Sequence, residues 1–222
     1  VRGSDVLIYP NQSNYLKSKI AEILINANLV ICLSQHLMNA CEKLGVDTKK
    51  MVHLPEGHDA KVFYFDEKIK KENFILFAGN LIPVKNPLRL LSAFEILSKV
   101  NSAIRLKIAG SGTLKNEMQN FIIQKKLIDR IEFIGQIPAQ ELADQMRKAK
   151  LLVLPSLSEG WPNVIQESLA CGTPVVASRV GGIPEIITEG ENGFFCDHLS
   201  EQDIAIQMDK ALSHRWISSK IE

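Results

Sequence analysis

Apolar residues recur along the chain in short runs, and amphipathic stretches separate one run from the next. Residues 74–78 (FILFA) and 151–154 (LLVL) are uninterrupted apolar runs, which are typical of strands covered on both faces of a parallel sheet. In residues 87–100 the apolar side chains instead repeat every three or four positions, and this spacing predicts a helix with one buried face. The alternation of the two patterns predicts an α/β protein.

The longer series of such elements begins at residue 74 and ends near residue 212. Strands and helical segments alternate throughout it, which predicts a doubly wound parallel sheet with right-handed crossovers, a complete Rossmann-like domain. The strands are predicted at residues 74–78, 104–109, 131–134, 151–154, 174–177 and 193–196. The helical segments are predicted at residues 87–100, 113–126, 139–149, 162–170, 183–187 and 202–212.

A shorter series precedes the longer one and has only the last units of a second Rossmann-like domain. Ser34 suits the N-cap of its best-defined helix, and Gly45 suits the end of that helix. The sequence predicts strands at residues 28–34 and 51–54, helices at 15–27 and 35–44, and the end of an earlier strand at 6–9.

The 222 residues correspond to about one and a half typical domains. We predict that residues 1–58 are the C-terminal part of one Rossmann-like domain, that residues 59–72 are a charged linker, and that residues 73–212 are a complete second domain. Residues 213–222 are predicted to begin a C-terminal tail. The expected reason for the fractional count is truncation of a longer chain at its N terminus, and also at its C terminus.

Composition and charge exclude several classes of protein. The 26 Lys and Arg residues and the 25 Asp and Glu residues leave a net charge of +1, without the basic surface typical of nucleic-acid-binding proteins. No apolar run approaches the roughly 20 residues of a membrane-spanning helix, and no signal-peptide pattern opens the chain. The cysteines form no Cys-x-x-Cys pair and are predicted to be buried, reduced thiols of a cytoplasmic protein: Cys32, Cys41, Cys171 and Cys196.

Candidate ligand contacts follow the predicted strands, because open parallel sheets bind ligands at the carboxyl ends of their strands. Gly79 allows a sharp turn after the first strand of the longer series, and Lys85 stands just before the next helix. A cation at a helix N terminus opposes the helix dipole unless an anion such as phosphate lies between them. An exposed lysine without such a role is the alternative for Lys85.

Gly110-Ser111-Gly112 is a Gly-x-Gly turn between a predicted strand and a helix. Position 115 is lysine, so the Gly-x-Gly-x-x-Gly signature of dinucleotide sites is incomplete, and a plain tight turn explains the two glycines as well. A nicotinamide-dependent oxidoreductase is therefore only an alternative function.

The strongest candidate site is the segment from Glu159 to Glu167. Pro162 suits the first position of a helix, which places Glu159 in the preceding loop and Glu167 about one and a half turns into the helix. The amides of Asn163 and Val164 in the first turn can bind phosphate oxygens, and the two carboxylates can accept hydrogen bonds from sugar hydroxyls. Solvated surface charges are the alternative for either glutamate taken alone.

Several segments together resemble one enzyme family. Residues 151–195 (LLVLPSLSEGWPNVIQESLACGTPVVASRVGGIPEIITEGENGFF) resemble the signature of the retaining glycosyltransferases of family 4, which have the GT-B fold. FAGNLIPVK, IAGSGTLKNEM and IEFIGQIPAQEL resemble the first three strands and loops of the nucleotide-binding domain of that family. Residues 30–63 resemble the last unit of its acceptor domain and the hinge, and RGSDVLIYP resembles an acceptor-domain segment of teichuronic-acid-type and related surface-polysaccharide enzymes.

The resemblance implies transfer of a sugar from a nucleotide sugar, with a UDP-sugar favoured, to a hydroxyl of a glycan or lipid-linked acceptor in cell-surface polysaccharide biosynthesis. It implies no cofactor and no bound metal ion, and a cytoplasmic enzyme whose association with the inner face of the membrane stays open. The catalytic roles fall to Lys85, on the donor diphosphate, and to Glu159, on the hydroxyls of the transferred sugar. The implied donor-binding residues are Gly79, Asn80, Lys85, Gly110, Ile137, Glu159, Gly160, Trp161, Pro162, Asn163, Val164 and Glu167.

Within this set, the resemblance implies that Glu167 binds the ribose hydroxyls and that Ile137 lies near the base.

The sequence departs from the family at three places. Asn80 stands where arginine is common, which removes a charge and a bidentate donor. The hinge, usually Asn-Gly-Val-Asp, reads Glu-Gly-His-Asp at residues 56–59. Arg2 occupies the place of a histidine that faces the reaction centre, and is a candidate contact of donor or acceptor phosphate.

Two further functions stay open at this point. The chain could bind a nucleotide sugar without transferring it, as a donor-binding fragment or an inactive homologue. An epimerase with the GT-B fold, acting on a nucleotide sugar, is the other alternative. Binding of nucleoside diphosphates and measurement of sugar transfer separate these functions.

Overall fold

The computed structural model describes residues 1–221, which divide into two compact units. The first unit consists of Val1–Gly57 together with two segments from later in the chain, Ser158–Asn163 and Val180–Ile186. The second unit consists of His58–Leu157, Val164–Arg179 and the residues from Ile187 onward. The chain therefore returns twice from the second unit to the first.

The first unit is built around a short two-stranded parallel sheet. Its strands are β1 (Val30–Cys32) and β2 (Met51–His53). Its helices are α1 (Ser4–Leu7), α2 (Asn14–Asn26) and α3 (Gln35–Lys43). Ser34 Oγ accepts a hydrogen bond from the amide of Leu37 at 3.2 Å and caps α3 as predicted. Buried apolar side chains from these elements form one cluster: Val6, Val30, Cys32, Leu37, Cys41, Val46 and Met51.

The prediction of a strand at residues 6–9 is wrong. Ser4–Leu7 form helix α1, and a 3-10 turn follows it. The Asp5 carboxylate accepts hydrogen bonds from the amides of Arg2 (3.2 Å) and Gly3 (2.7 Å). Such a side-chain contact closes the backbone into a turn and competes with extended structure. The other predicted elements of the first unit are present, with their ends shifted by one or two residues.

The second unit contains a six-stranded sheet in which all neighbouring strands are parallel. The strands are β3 (Phe74–Ala78), β4 (Arg105–Ala109), β5 (Ile131–Gly135), β6 (Leu151–Leu154), β7 (Val175–Ser178) and β8 (Gly193–Cys196). The helices are α4 (Pro87–Val100), α5 (Lys115–Gln124), α6 (Ala139–Lys148), α7 (Asn163–Ala170) and α8 (Glu201–Ser213). The order β5-β4-β3-β6-β7-β8 is that of a Rossmann-like sheet, with the strand order reversing between β3 and β6. The predicted doubly wound sheet is confirmed; the helical segment predicted at 183–187 is a 3-10 turn over Ile183–Glu185.

The core of the second unit follows the apolar pattern. Strands β3, β6 and β7 are buried at every position. All the cysteines are free and buried as predicted, and burial raises the pKa of Cys196 to about 12. None of the helices within residues 1–221 combines the length and the apolar character that crossing a membrane requires. The apolar side chains whose spacing predicted α4 are at most 1% exposed: Leu90, Leu91, Phe94 and Leu97.

Two polar side chains hold the predicted linker to the second unit. The Arg147 guanidinium, 3% exposed, donates to the Val62 carbonyl at 3.0 Å and lies 4.6 Å from the centre of the Tyr64 ring. Lys71 Nζ donates to Thr173 Oγ1, and burial lowers the pKa of Lys71 to about 8. Residues 59–72 therefore belong to the second unit, and partly buried contacts fix them to the rest of it.

Candidate functional site: a cavity at the ends of three strands

A cavity of ≈ 340 Å³ opens at the carboxyl ends of β3, β4 and β5 in the second unit. This is the edge at which Rossmann-like sheets bind ligands. The strand ends and the loops that follow them provide much of the lining, and α6 and α7 complete it. The lining residues are Ala78, Gly79, Asn80, Ala109, Gly110, Gly135, Gln136, Ile137, Leu142, Val164 and Glu167.

The cavity brings together about half of the donor-binding residues that the sequence implies: Gly79, Asn80, Gly110, Ile137, Val164 and Glu167. The set implied by the resemblance omits five lining residues. Gly135 and Gln136 directly follow the strand predicted at residues 131–134 and so lie where the sequence predicts ligand contacts. Ala78 and Ala109 end predicted strands, and their position beside the expected loops is a signal that could have found them. Leu142 carries no such signal, because on α6 it resembles any apolar helix residue.

The floor of the cavity requires glycine at position 110. Gly110 has φ +146°, and its amide donates to the Gly135 carbonyl at 2.7 Å. A Cβ at this position would overlap the carbonyl of Gly79. At the Gly-x-Gly turn, the loop after β4 thus approaches the loop after β3 closely, and a side chain at position 110 would force the two loops apart.

Glu167 is the only acidic residue among those that line the cavity, and no basic residue is among them. Helix α7 begins at Asn163, one residue after the predicted start at Pro162, so Glu167 lies in its second turn. Burial raises the pKa of Glu167 above the usual range of a carboxyl group. A carboxylate that has lost part of its hydration gains from ligands that donate hydrogen bonds. The electrostatics of the cavity therefore favour a ligand with hydroxyl donors over a bare phosphate.

Lys85 occupies its predicted place before a helix N terminus. It ends a 3-10 turn over Pro83–Lys85, and α4 begins at Pro87. Asn86 between them has φ +54°, and its side-chain amide donates to the His198 carbonyl at 2.8 Å. Lys85 is half-buried and is not among the residues that line the cavity.

The loop that carries Glu159 belongs to the first unit, where Glu159 is 7% exposed. Trp161 Nε1 donates to the Glu56 carbonyl at 3.0 Å, and a Cβ on Gly160 would overlap the carbonyl of Arg2. Arg2 Nη2 pairs with Glu56 Oε1 at 2.8 Å. The structure therefore groups Arg2 with the Glu159 loop, and this grouping is not visible in the sequence.

Solved structures share this fold. Anabaena HepE in complex with UDP has a TM-score of 0.83 at 21% identity, over 95% of this chain and 61% of HepE. Staphylococcus aureus TarM, in complex with Fondaparinux, alpha-GlcNAc-glycerol and UDP, has a TM-score of 0.83 at 18% identity, over 100% of this chain and 45% of TarM. The likeness confirms the predicted fold class: an α/β, GT-B chain with one complete Rossmann-like sheet and part of a second.

Curated relatives are longer than this chain. An uncharacterized glycosyltransferase of Methanocaldococcus jannaschii is 31% identical over 206 residues, 92% of this chain and 55% of the relative. A D-inositol 3-phosphate glycosyltransferase of Paenarthrobacter aurescens is 36% identical over 166 residues, 69% of this chain and 41% of the relative. The chain thus spans about half the length of these relatives. The sequence model of the family described as glycosyl transferases group 1 matches residues 61–221, and the chain therefore belongs to that family.

Proposed function

We propose that the whole protein transfers a sugar from a nucleotide sugar to a hydroxyl group of an acceptor, with retention of configuration at the anomeric carbon. The observation that carries the proposal is the cavity at the ends of β3, β4 and β5, in a chain that belongs to the glycosyl transferases group 1 family. HepE and TarM, which share the fold, are complexes with UDP. A UDP-sugar is accordingly the proposed donor.

The lining of the cavity suits the nucleoside part of the donor. Glu167 offers a carboxylate to which the two ribose hydroxyls can donate, and such donors offset the loss of hydration that raises its pKa. Ile137 offers an apolar contact to the base. Gly79 and Gly110 expose backbone instead of side chains, which lets the donor approach the strand ends closely.

The diphosphate is assigned to Lys85 and to the amides at the start of α7. Departure of UDP builds negative charge on the phosphates, and an ammonium group and a helix N terminus stabilise such charge. Because Lys85 supplies the positive charge, the proposal includes no metal ion. Asn80 contributes hydrogen-bond donors without the charge of the arginine common at this position in the resembling enzymes.

Glu159 is proposed to orient the transferred sugar through its hydroxyls, and not to act as a nucleophile. The acceptor hydroxyl attacks the anomeric carbon on the face from which UDP departs, through an oxocarbenium-like transition state. The departing phosphate takes the proton of the acceptor hydroxyl, so no separate base is required. Burial of Glu159, which is 7% exposed, restricts the positions that its carboxylate can adopt.

The acceptor is proposed to be a glycan or a lipid-linked glycan of a cell-surface polysaccharide, reached at the inner face of the membrane. The support is the resemblance of residues 2–10 to enzymes of that kind. Residues 1–58 then contribute to the acceptor side and residues 73–212 to the donor side, with residues 59–72 as the linker. Arg2 is the candidate contact to acceptor or donor phosphate.

The test uses the complete gene product, screened with UDP-sugars and acceptors. Released UDP measures turnover, and the NMR coupling of the anomeric proton gives the configuration of the product. Lys85→Ala and Glu159→Ala should each lower kcat/KM by about 100-fold, because each removes a contact to the reacting part of the donor. Lys49→Ala and Glu191→Ala are matched controls at exposed positions that form no ion pair within residues 1–221.

Each outcome of this test decides one part of the proposal. Wild-type rates in both site variants would show that Lys85 and Glu159 are wrongly assigned. A product of inverted configuration would contradict retention. Binding of UDP in titration calorimetry, without transfer to any acceptor, would favour a nucleotide-binding protein that is not a transferase.

A further inference from the structure

Glu185 makes contacts inside the first unit that the proposed donor site does not explain. Its carboxylate accepts hydrogen bonds from the amides of Gln35 (2.9 Å) and His36 (3.2 Å), the first two residues of α3. His53 Nε2 lies 3.5 Å from the same carboxylate. A carboxylate at a helix N terminus satisfies amides that have no partner within the helix and interacts favourably with the helix dipole. Glu185 therefore ties its own segment, Val180–Ile186, to α3.

The segment that carries Glu185 packs directly against the backbone that carries Glu159. Gly181 has φ +58°, and a Cβ there would overlap the Glu159 carbonyl. A Cβ on Gly182 would overlap the Gly160 carbonyl. Since the two loops touch backbone to backbone, a displacement of one is passed to the other.

We propose that Glu185 is a positioning residue for sugar transfer. By capping α3 it fixes residues 180–186, and these residues in turn hold the backbone of Glu159 in place. The inference rests on the proposed role of Glu159 in orienting the transferred sugar. Loss of the cap should leave the nucleoside cavity intact, because the residues that line the cavity all belong to the second unit. Transfer and UDP binding should therefore respond differently.

Two substitutions remove the cap from opposite sides. Glu185→Gln keeps the size of the side chain and removes its charge. Gln35→Pro removes one of the two amide donors and keeps the helix start, because proline is favoured at the first helical position. Gln35→Ala is the matched comparison, since it keeps the amide. Glu191→Gln repeats the glutamate substitution at an exposed position.

In the full-length protein, kcat/KM for sugar transfer should fall roughly 10-fold in Glu185→Gln, because a small misplacement of a substrate-orienting group is costly. Gln35→Pro should show a similar loss relative to Gln35→Ala. The Kd for UDP should change less than about twofold in all of these variants. The double variant should lose less than the product of the single effects, because both substitutions remove the same contact.

Hydrogen–deuterium exchange gives a readout that does not depend on activity. Faster exchange in residues 158–163 of Glu185→Gln is expected, and unchanged exchange there would overturn the inference. Transfer by Glu185→Gln at the wild-type rate would also overturn it, as would equal losses of transfer and UDP affinity, which indicate general damage. If the wild-type protein transfers no sugar while exchange still accelerates, the proposed function fails and the tie between Glu185 and the Glu159 loop stands.

Discussion

Replacing Glu167 by glutamine should weaken UDP binding and at the same time stabilise the protein without ligand. Burial raises the pKa of Glu167, so its charge costs free energy of folding at neutral pH. Glutamine has nearly the same shape and no charge. In the proposed complex, the ribose hydroxyls of the nucleotide donate hydrogen bonds to this charged carboxylate. Opposite effects on stability and on binding distinguish a ligand-binding carboxylate from a structural one.

The size of the binding loss follows from the two hydrogen bonds. A hydrogen bond to a charged group contributes about 1.5–3 kcal/mol and a neutral one about 0.5–1.5 kcal/mol, so each hydroxyl contact should weaken by about 1 kcal/mol. The sum of about 2 kcal/mol corresponds to a Kd for UDP about 30-fold higher.

The raised pKa of Glu167 also sets the direction of the pH dependence. The folded protein binds this proton more tightly than the unfolded chain does, so the charge of Glu167 destabilises the fold in full above its folded pKa. That destabilisation disappears as the pH falls below the pKa of the unfolded chain. UDP binding needs the carboxylate and should weaken on acidification. Glu167→Gln should reduce both effects.

Titration calorimetry with UDP at about pH 5 and about pH 8, together with thermal unfolding of the ligand-free protein, measures these effects. The phosphates of UDP titrate in the same way whether the wild-type protein or Glu167→Gln is measured. The ratio of the Kd at about pH 5 to the Kd at about pH 8, compared between these two proteins, therefore isolates Glu167. Glu191→Gln is the control at an exposed site. Wild-type affinity in Glu167→Gln would refute the ribose contact, and a loss of stability together with affinity would show that Glu167 is structural.

Three other substitutions test further parts of the structure. Gly110→Ala should weaken UDP binding at least about 10-fold, because its Cβ would displace the neighbouring strand-end loop; Gly190→Ala, at φ +84° with no neighbour within 4 Å, is the calorimetric control. Because burial lowers the pKa of Lys71 to about 8, the unfolded chain binds this proton more tightly, and the free energy of unfolding should rise by roughly 1–3 kcal/mol between pH 8 and pH 10.5. Lys71→Met should remove this rise, and urea unfolding at both pH values measures it. Arg147→Met should cost about 1–3 kcal/mol by leaving a partly buried linker carbonyl without its donor, and an unchanged urea midpoint would contradict this.

The second unit could be predicted from the sequence because its signals are local. The bounds of β3, β6 and α4 agree with the prediction. The two strands are uninterrupted apolar runs and α4 is a 14-residue amphipathic pattern, and each element is followed by glycine, proline or a polar residue. Residues 6–9 (VLIY) are only a short apolar run, which strand and helix explain equally. The hydrogen bonds of the Asp5 carboxylate decide their conformation, and the apolar pattern does not record them.

The candidate site could be predicted only as far as chain position determines it. Gly79 and Gly110 directly follow strand ends, and Glu167 lies near the start of the helix that follows β6. The topology of a parallel sheet therefore brings all three to one edge. The grouping of Arg2 with the Glu159 loop depends on contacts between residues far apart in sequence. No local pattern encodes such contacts.

The reversal of strand order between β3 and β6 divides the strand-end loops between two tasks. The loops after β3, β4 and β5 line the cavity, whereas the loops after β6 and β7 supply Ser158–Asn163 and Val180–Ile186 to the first unit. Helix α7 joins the two tasks, because its first residue, Asn163, belongs to the first unit and Glu167 lines the cavity. The residue proposed to orient the sugar and the residue proposed to hold the ribose thus lie on one continuous segment. In this proposal, the capping of α3 by Glu185 holds Glu159 in place at one end of that segment, and helix α7 holds Glu167 in place at the other end.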